Sequence, residues 1–251
     1  MKFSRRVVLA GLAGVSIAGL ARPACAQAGF EIVNLTISGG RNVSGVVALP
    51  AKVPAPTLLL IHGSGGLLDV YKSFATDFAR DGFFAAALDL YDGETVGDEA
   101  TRSRLQNSVR SDPAKALETI SAWLAWLKAD SRSTGKIGVV GWSFGAAWAL
   151  EASMATPVDA TVIYVGLAYP GAARLAALKG PMLAHLAERS DISKNAFTSF
   201  ENMMAEAGKS VQVHWYPTGH YFPFSDRPTY DKEQADAAWA HTVKFLRENL
   251  Q

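Results

Sequence analysis

Lys136-Ile137-Gly138-Val139-Val140-Gly141-Trp142-Ser143-Phe144-Gly145-Ala146-Ala147-Trp148-Ala149-Leu150 joins an apolar, partly β-branched run to an Ala- and Leu-rich one through a glycine-flanked serine. The first run predicts a strand over 136–141, the second a helix over 144–154. A strand-to-helix turn this tight leaves no room for side chains at Gly141 and Gly145 and pushes the Ser143 hydroxyl out over the sheet. The amide of Phe144 opens the helix and points to the same spot, where it can stabilise a developing oxyanion. Ser143 is therefore the candidate nucleophile. The plain alternative is a glycine-flanked serine that merely turns the chain from strand to helix.

Working outward, residues 30–37 and 43–49 alternate apolar and polar side chains between turn residues, as expected for an opening antiparallel hairpin at a sheet edge. Thr57-Leu58-Leu59-Leu60-Ile61 is continuously apolar, the mark of a strand covered on both faces. Strands and helices then alternate: helix 69–80, strand 83–90, helix 113–128, the run around Ser143, strands 160–165 and 182–186, helix 196–207, strand 210–216 and helix 232–248. This order predicts a doubly wound, mostly parallel sheet in a three-layer α/β/α arrangement, one domain over 27–251. In such sheets ligands bind beyond the carboxyl ends of the strands.

Residues 1–26 carry Lys2, Arg5, Arg6 and Arg22 but no acidic residue, an apolar run over 7–20, and Ala24-Cys25-Ala26. These are the three parts of an export signal, with cleavage expected after Ala26. Ser4-Arg5-Arg6-Val7-Val8-Leu9 resembles a twin-arginine signal, read by export machinery that moves folded proteins; an ordinary secretory signal with two arginines is the alternative. Either implies a periplasmic or secreted protein. The apolar run is too short for a comfortable membrane span, and Arg22-Pro23 stand where a lipid anchor on Cys25 would want small apolar residues. No stable membrane anchor is expected. Cys25, the chain's single cysteine, leaves with the leader, so the mature chain has no thiol nucleophile. It also turns acidic, and no basic patch calls for nucleic acid.

A serine hydroxyl needs a general base, and His220, in Pro217-Thr218-Gly219-His220 after a late strand, is the candidate. His185 and His214 fall within strands, His241 on the last helix, and His62 in a strand-end loop. Glu188 and Asp191 are the candidate acids to orient His220; Asp191 is preferred, although a helix N-cap or first-turn acid is nearly as good a use of it. The loop His62-Gly63-Ser64-Gly65-Gly66 can supply a second oxyanion amide, from Ser64 or Gly63. It lacks the lysine and spacing of a phosphate-binding loop. Asp89, Asp92, Glu94, Asp98 and Glu99 read as a solvated acidic loop, with no histidine or cysteine at ligand spacing, so neither metal nor cofactor is expected.

Four segments, in order, resemble the dienelactone hydrolase (carboxymethylenebutenolidase) family of the α/β-hydrolase superfamily. They are Ile61-His62 with Gly66-Leu67, Ala87-Leu88-Asp89-Leu90-Tyr91, the Ser143 turn, and Val211-Gln212-Val213-His214-Trp215-Tyr216 leading to Gly219-His220 and Phe222. The resemblance implies an α/β-hydrolase fold and cofactor-free hydrolysis of esters or lactones by a cysteine, histidine and aspartate triad, with Ser143 here in the cysteine's place. Ser190, rather than Asp191, stands at that family's aspartate position. Gly63 replaces a glutamate that restrains the cysteine, and Gly93 and Phe224 stand where two arginines would hold a substrate carboxylate. The expected substrate is thus a small, neutral or apolar ester or lactone, with Trp142, Phe222 and Phe224 as pocket walls. The rival expectation is a binding protein that keeps the fold without its chemistry; an amidase, thioesterase or acyltransferase could use the same triad.

Overall fold

Leu58 and Leu60 pack into one hydrophobic cluster and Leu59 and Ile61 into another, because alternate residues of a strand face opposite sides of its sheet. The computed structural model describes residues 29–251 and the short strand Arg6–Val8; the rest of the expected leader lies outside the described residues. The strands are β1 (Arg6–Val8), β2 (Phe30–Thr36), β3 (Asn42–Ala48), β4 (Ala55–Ile61), β5 (Phe84–Leu88), β6 (Ser133–Trp142), β7 (Ala160–Tyr164), β8 (Met182–Arg189) and β9 (Val211–Gly219). They form one sheet in the order β1-β2-β3-β5-β4-β6-β7-β8-β9. Pairing is antiparallel from β1 to β5 and parallel from β5 to β9.

The helices are α1 (Asp69–Arg80), α2 (Glu99–Arg110), α3 (Pro113–Ala129), α4 (Phe144–Ala155), α5 (Ala172–Leu175), α6 (Lys194–Glu206) and α7 (Lys232–Leu250). Phe78 of α1 and Phe245 and Leu246 of α7 cover one face of the sheet. Trp123 of α3, Trp148 of α4 and Phe197 and Phe200 of α6 cover the other. This is the expected three-layer, doubly wound architecture. No helix among the described residues is long and apolar enough to cross a membrane.

Two expectations need correction. The acidic stretch is only partly a solvated loop. Asp89 is buried and its carboxylate accepts the amides of Tyr91 (2.8 Å) and Gly93 (2.6 Å), while Asp98 caps α2 by accepting the Thr101 amide (2.7 Å). The helix α2 was not expected, because it buries only Leu105 and Val109, too thin an apolar stripe to read from sequence. Strands β8 and β9 also run on to Arg189 and Gly219, so His220 follows its strand directly.

Away from the serine, β8, β9 and α7 share a polar seam. The fully buried His185 meets the Tyr216 hydroxyl through Nδ1 and Thr242 Oγ1 through Nε2, both at 2.8 Å. His214 and His241 stack at 3.9 Å beside it, the Tyr216 hydroxyl also meets His241 Nδ1 (3.2 Å), and Tyr164 bonds Thr242. Burial, then the neighbouring His214 and His241, push the His185 pKa well below its usual 6.5. The folded chain thus refuses a proton that the unfolded chain accepts near pH 6.5, so this contribution is complete above that pH and lost as pH falls below it. Thermal unfolding followed from pH 8 to pH 5 should show a falling midpoint, with a shallower fall in His185→Gln; an unchanged slope in the variant would place the acid sensitivity elsewhere.

Candidate active site

Ser143 sits between β6 and α4 with φ 51° and ψ −112°, a left-handed conformation costly for a residue bearing Cβ and typical of functional turns. A Cβ on Gly141 would lie 2.2 Å from the Gly145 carbonyl oxygen, and one on Gly145 would lie 2.2 Å from the Ile61 oxygen and 2.4 Å from that of His62. Glycine at both positions lets α4 start directly against the ends of β4 and β6. The Ser143 amide donates to the Tyr164 carbonyl (2.8 Å), which ties the turn to β7.

His220, at the end of β9, sets its Nε2 3.2 Å from Ser143 Oγ. Burial lowers its pKa, with the Asp191 charge opposing, so the imidazole is neutral at pH 7 and able to take a proton. Its Nδ1 is buried without a hydrogen-bond partner. Asp191 lines the same cleft as Ser143 and His220 but is exposed and does not hydrogen-bond the ring. Glu188 pairs with Lys194 (2.9 Å) instead. Ser190 holds the turn between them, donating to the Ala187 carbonyl (2.8 Å) and accepting the Ile192 amide (3.3 Å).

The amide of Phe144 opens α4, where no intrahelical acceptor exists for it. Of the two loop candidates, the Gly63 amide is engaged, donating to the Tyr71 hydroxyl (2.9 Å). Among the described residues the Ser64 amide meets no acceptor, while the Ser64 hydroxyl accepts from Arg102 (3.0 Å). His62 fixes this loop: its Nε2 accepts the Leu90 amide (3.1 Å), which leaves Nδ1 to donate to the Gly63 carbonyl (2.7 Å).

The dienelactone hydrolase family model matches residues 43–250. The chain belongs to this family. It is 23% identical over 228 residues to carboxymethylenebutenolidase 1 of Cupriavidus pinatubonensis, covering 85% of this chain and 95% of that one. It is 29% identical over 224 residues to the protein usf of Aquifex pyrophilus, with 84% and 95% covered. Among solved structures, a dienelactone hydrolase-like promiscuous phosphotriesterase from metagenomic libraries aligns with a TM-score of 0.78 at 20% identity, covering 89% of this chain and all (100%) of that one. A dienelactone hydrolase of Klebsiella pneumoniae gives 0.76 at 18%, with 87% and 99% covered.

Two cavities meet at the serine of this dienelactone hydrolase relative. The wider, about 700 Å³, runs past His220 between Leu117, Phe144, Trp148, Leu167 and Ile192. The narrower, about 50 Å³, is bounded by Gly63, Ser64, Tyr71, Phe224, Arg102 and Arg227. Of the three expected pocket walls, only Phe224 lines a cavity with Ser143. Trp142 is 1% exposed and stacked between Phe74 (5.0 Å) and Tyr164 (5.5 Å), and Phe222 is fully buried against Tyr216. Both pack into aromatic clusters, since closeness to Ser143 or His220 in the chain does not set side-chain direction; Trp142 borders a separate cavity with Phe74 and Trp239. Tyr71, Arg102 and Arg227 went unread because helix packing and a loop, not sequence proximity, bring them to the serine.

Gly145→Ala should destabilise the fold by at least about 1–3 kcal/mol, since the new methyl meets backbone that cannot yield, and should remove activity. Gly97→Ala, whose methyl meets nothing within 4 Å, should do neither. Urea unfolding of the two variants makes the comparison, and equal midpoints would show that the close approach at Gly145 is relaxed at little cost.

Proposed function

We propose that this protein is a serine hydrolase of small, neutral or apolar carboxylic esters or lactones, acting through Ser143, His220 and Asp191 and an acyl-enzyme. The observation that carries the reading is the 3.2 Å approach of His220 Nε2 to Ser143 Oγ beside the start of α4. His220 takes the serine proton as Oγ attacks the carbonyl carbon, and the oxyanion forms against the amides of Phe144 and Ser64. Collapse expels the alcohol, which leaves with the proton from His220. Water, deprotonated by the same imidazole, then releases the acid. One oxyanion-hole donor contributes on the order of 2.7–4 kcal/mol in a well-studied protease.

Leu117, Phe144, Trp148, Leu167 and Ile192 give the wide cleft an apolar stretch that supports an apolar acyl group, beside Arg110 and the Arg174–Glu151 pair on the same lining. Arg102 and Arg227, at the narrow cleft, each have a carboxylate of their own, Glu99 at 2.9 Å and Asp226 at 3.6 Å, which supports a neutral substrate. Residues 1–26 are proposed as the export leader, with the mature enzyme periplasmic or secreted. The unpartnered Nδ1 of His220 favours a second reading, a binding protein with impaired chemistry, because the acid is not in hydrogen-bonding position.

Ser143→Ala should abolish turnover of short-chain p-nitrophenyl esters while the protein stays folded, and a fluorophosphonate should label the wild type alone. Failure of the wild type to label would support the binding reading. If Asp191 is the acid, Asp191→Asn should lower kcat by about 10²–10⁴-fold; an effect below twofold would remove it from the triad. Because burial depresses the His220 pKa, the neutral base persists below pH 6.5, so kcat/KM should hold at that pH and fall only in more acidic buffer.

A further inference from the structure

We propose that the Tyr71 hydroxyl is a third hydrogen-bond donor to the tetrahedral oxyanion, alongside the amides of Phe144 and Ser64. The inference rests on the serine hydrolase reading above and adds a catalytic side chain to it.

The Tyr71 oxygen accepts the Gly63 N–H at 2.9 Å. A phenol oxygen carries one proton besides its acceptor capacity, and among the described residues that proton meets no acceptor. The amide occupies the acceptor side, so the O–H is left to point elsewhere. The ring is only 5% exposed and is wedged edge-on against Trp142 (5.7 Å), Phe224 (5.9 Å) and Phe74 (6.1 Å).

The space available to the proton is the narrow cavity shared by Tyr71, Gly63, Ser64 and Ser143. A Cβ built on Gly63 would lie 2.7 Å from the Tyr71 hydroxyl and 3.8 Å from Ser143 Cβ, so the hydroxyl and the nucleophile's side chain flank the same small volume. The missing side chain at position 63 keeps that volume open. Burial also holds the phenol far above its ordinary pKa, against the opposing influence of the Gly63 bond and the nearby Arg227 charge. It therefore stays protonated, a neutral dipole fixed in a poorly solvated site, the kind of donor that stabilises developing charge with little reorganisation. No bond breaks at Tyr71: its proton is shared with the oxyanion and stays on the phenol, and proton transfer remains with His220.

A purely structural alternative exists, in which Tyr71 only anchors the Gly63 amide. Tyr71→Phe should lower kcat for p-nitrophenyl esters by about 10- to 100-fold with KM within twofold. The affinity of a boronic acid, which forms a tetrahedral serine adduct, should fall by the same factor as kcat/KM. A kcat within twofold of wild type, or a lowered kcat with unchanged boronic acid affinity, would overturn the proposal. Difluorotyrosine at position 71 keeps the phenol but ionises at lower pH. It should give kcat an alkaline limb absent from the wild type, whereas an anchor would still accept from Gly63 as a phenolate and show no such limb. This second measurement decides the matter should Tyr71→Phe fail to fold. Ser143→Ala, run alongside, separates the two claims. Wild-type turnover in that variant sinks the serine hydrolase reading, whereas a dead Ser143→Ala with an unslowed Tyr71→Phe sinks the role of Tyr71 alone.

Discussion

The contact on which the site depends is one of backbone on backbone, the first turn of α4 against the carbonyls of Ile61 and His62 at the end of β4. Gly145 permits it, since any side chain there would sit 2.2 Å from the Ile61 oxygen. The close approach sets the start of α4, with the amide of Phe144, beside the chain at Ile61 and His62 and accompanies a positive φ at Ser143. An uncommon serine conformation, costly alone, is here imposed by the packing of a helix onto the central strands. Stability and proposed chemistry therefore share the same atoms.

Around that contact, polar bonds turn strand ends into rigid loops. His62 bridges the loop after β4 and the one after β5, with its tautomer set by the Leu90 amide on one nitrogen and the Gly63 carbonyl on the other. Asp89 folds the second loop onto its own carboxylate. Burial lowers the His62 pKa although Asp89 lies nearby, so the bridge is a neutral one. Its bonds survive neutral pH without a buried imidazolium to stabilise.

The alternation of strands and helices, the Ser143 turn and the position of His220 were legible in the chain because each leaves a local mark: an apolar run, a pair of glycines, a histidine after a strand. Helix α2 left almost none, since only Leu105 and Val109 face inward, and with it went Arg102. Trp142 and Phe222 were read as walls of the serine's cavity from their neighbours in sequence, but Trp142 stacks between Phe74 and Tyr164 and Phe222, in the turn after β9, packs on Tyr216. Tyr71 was invisible for the opposite reason, as an aromatic on an amphipathic helix looks like core until the loop it touches is known.

The acid side of the site follows a different logic. Among the described residues, buried side-chain polar atoms without partners are confined to Trp123 Nε1, Trp142 Nε1 and His220 Nδ1. The two indoles lie deep in aromatic packing; the imidazole borders a cleft with an exposed carboxylate in it. Leaving such a donor unpaired costs about 1–3 kcal/mol, and the bonds that Ser190 makes to Ala187 and Ile192 are what hold the neighbouring carboxylate in its present turn. A substrate in the wide cleft would exclude water from the space between carboxylate and ring, and by lowering the local dielectric it would strengthen their attraction.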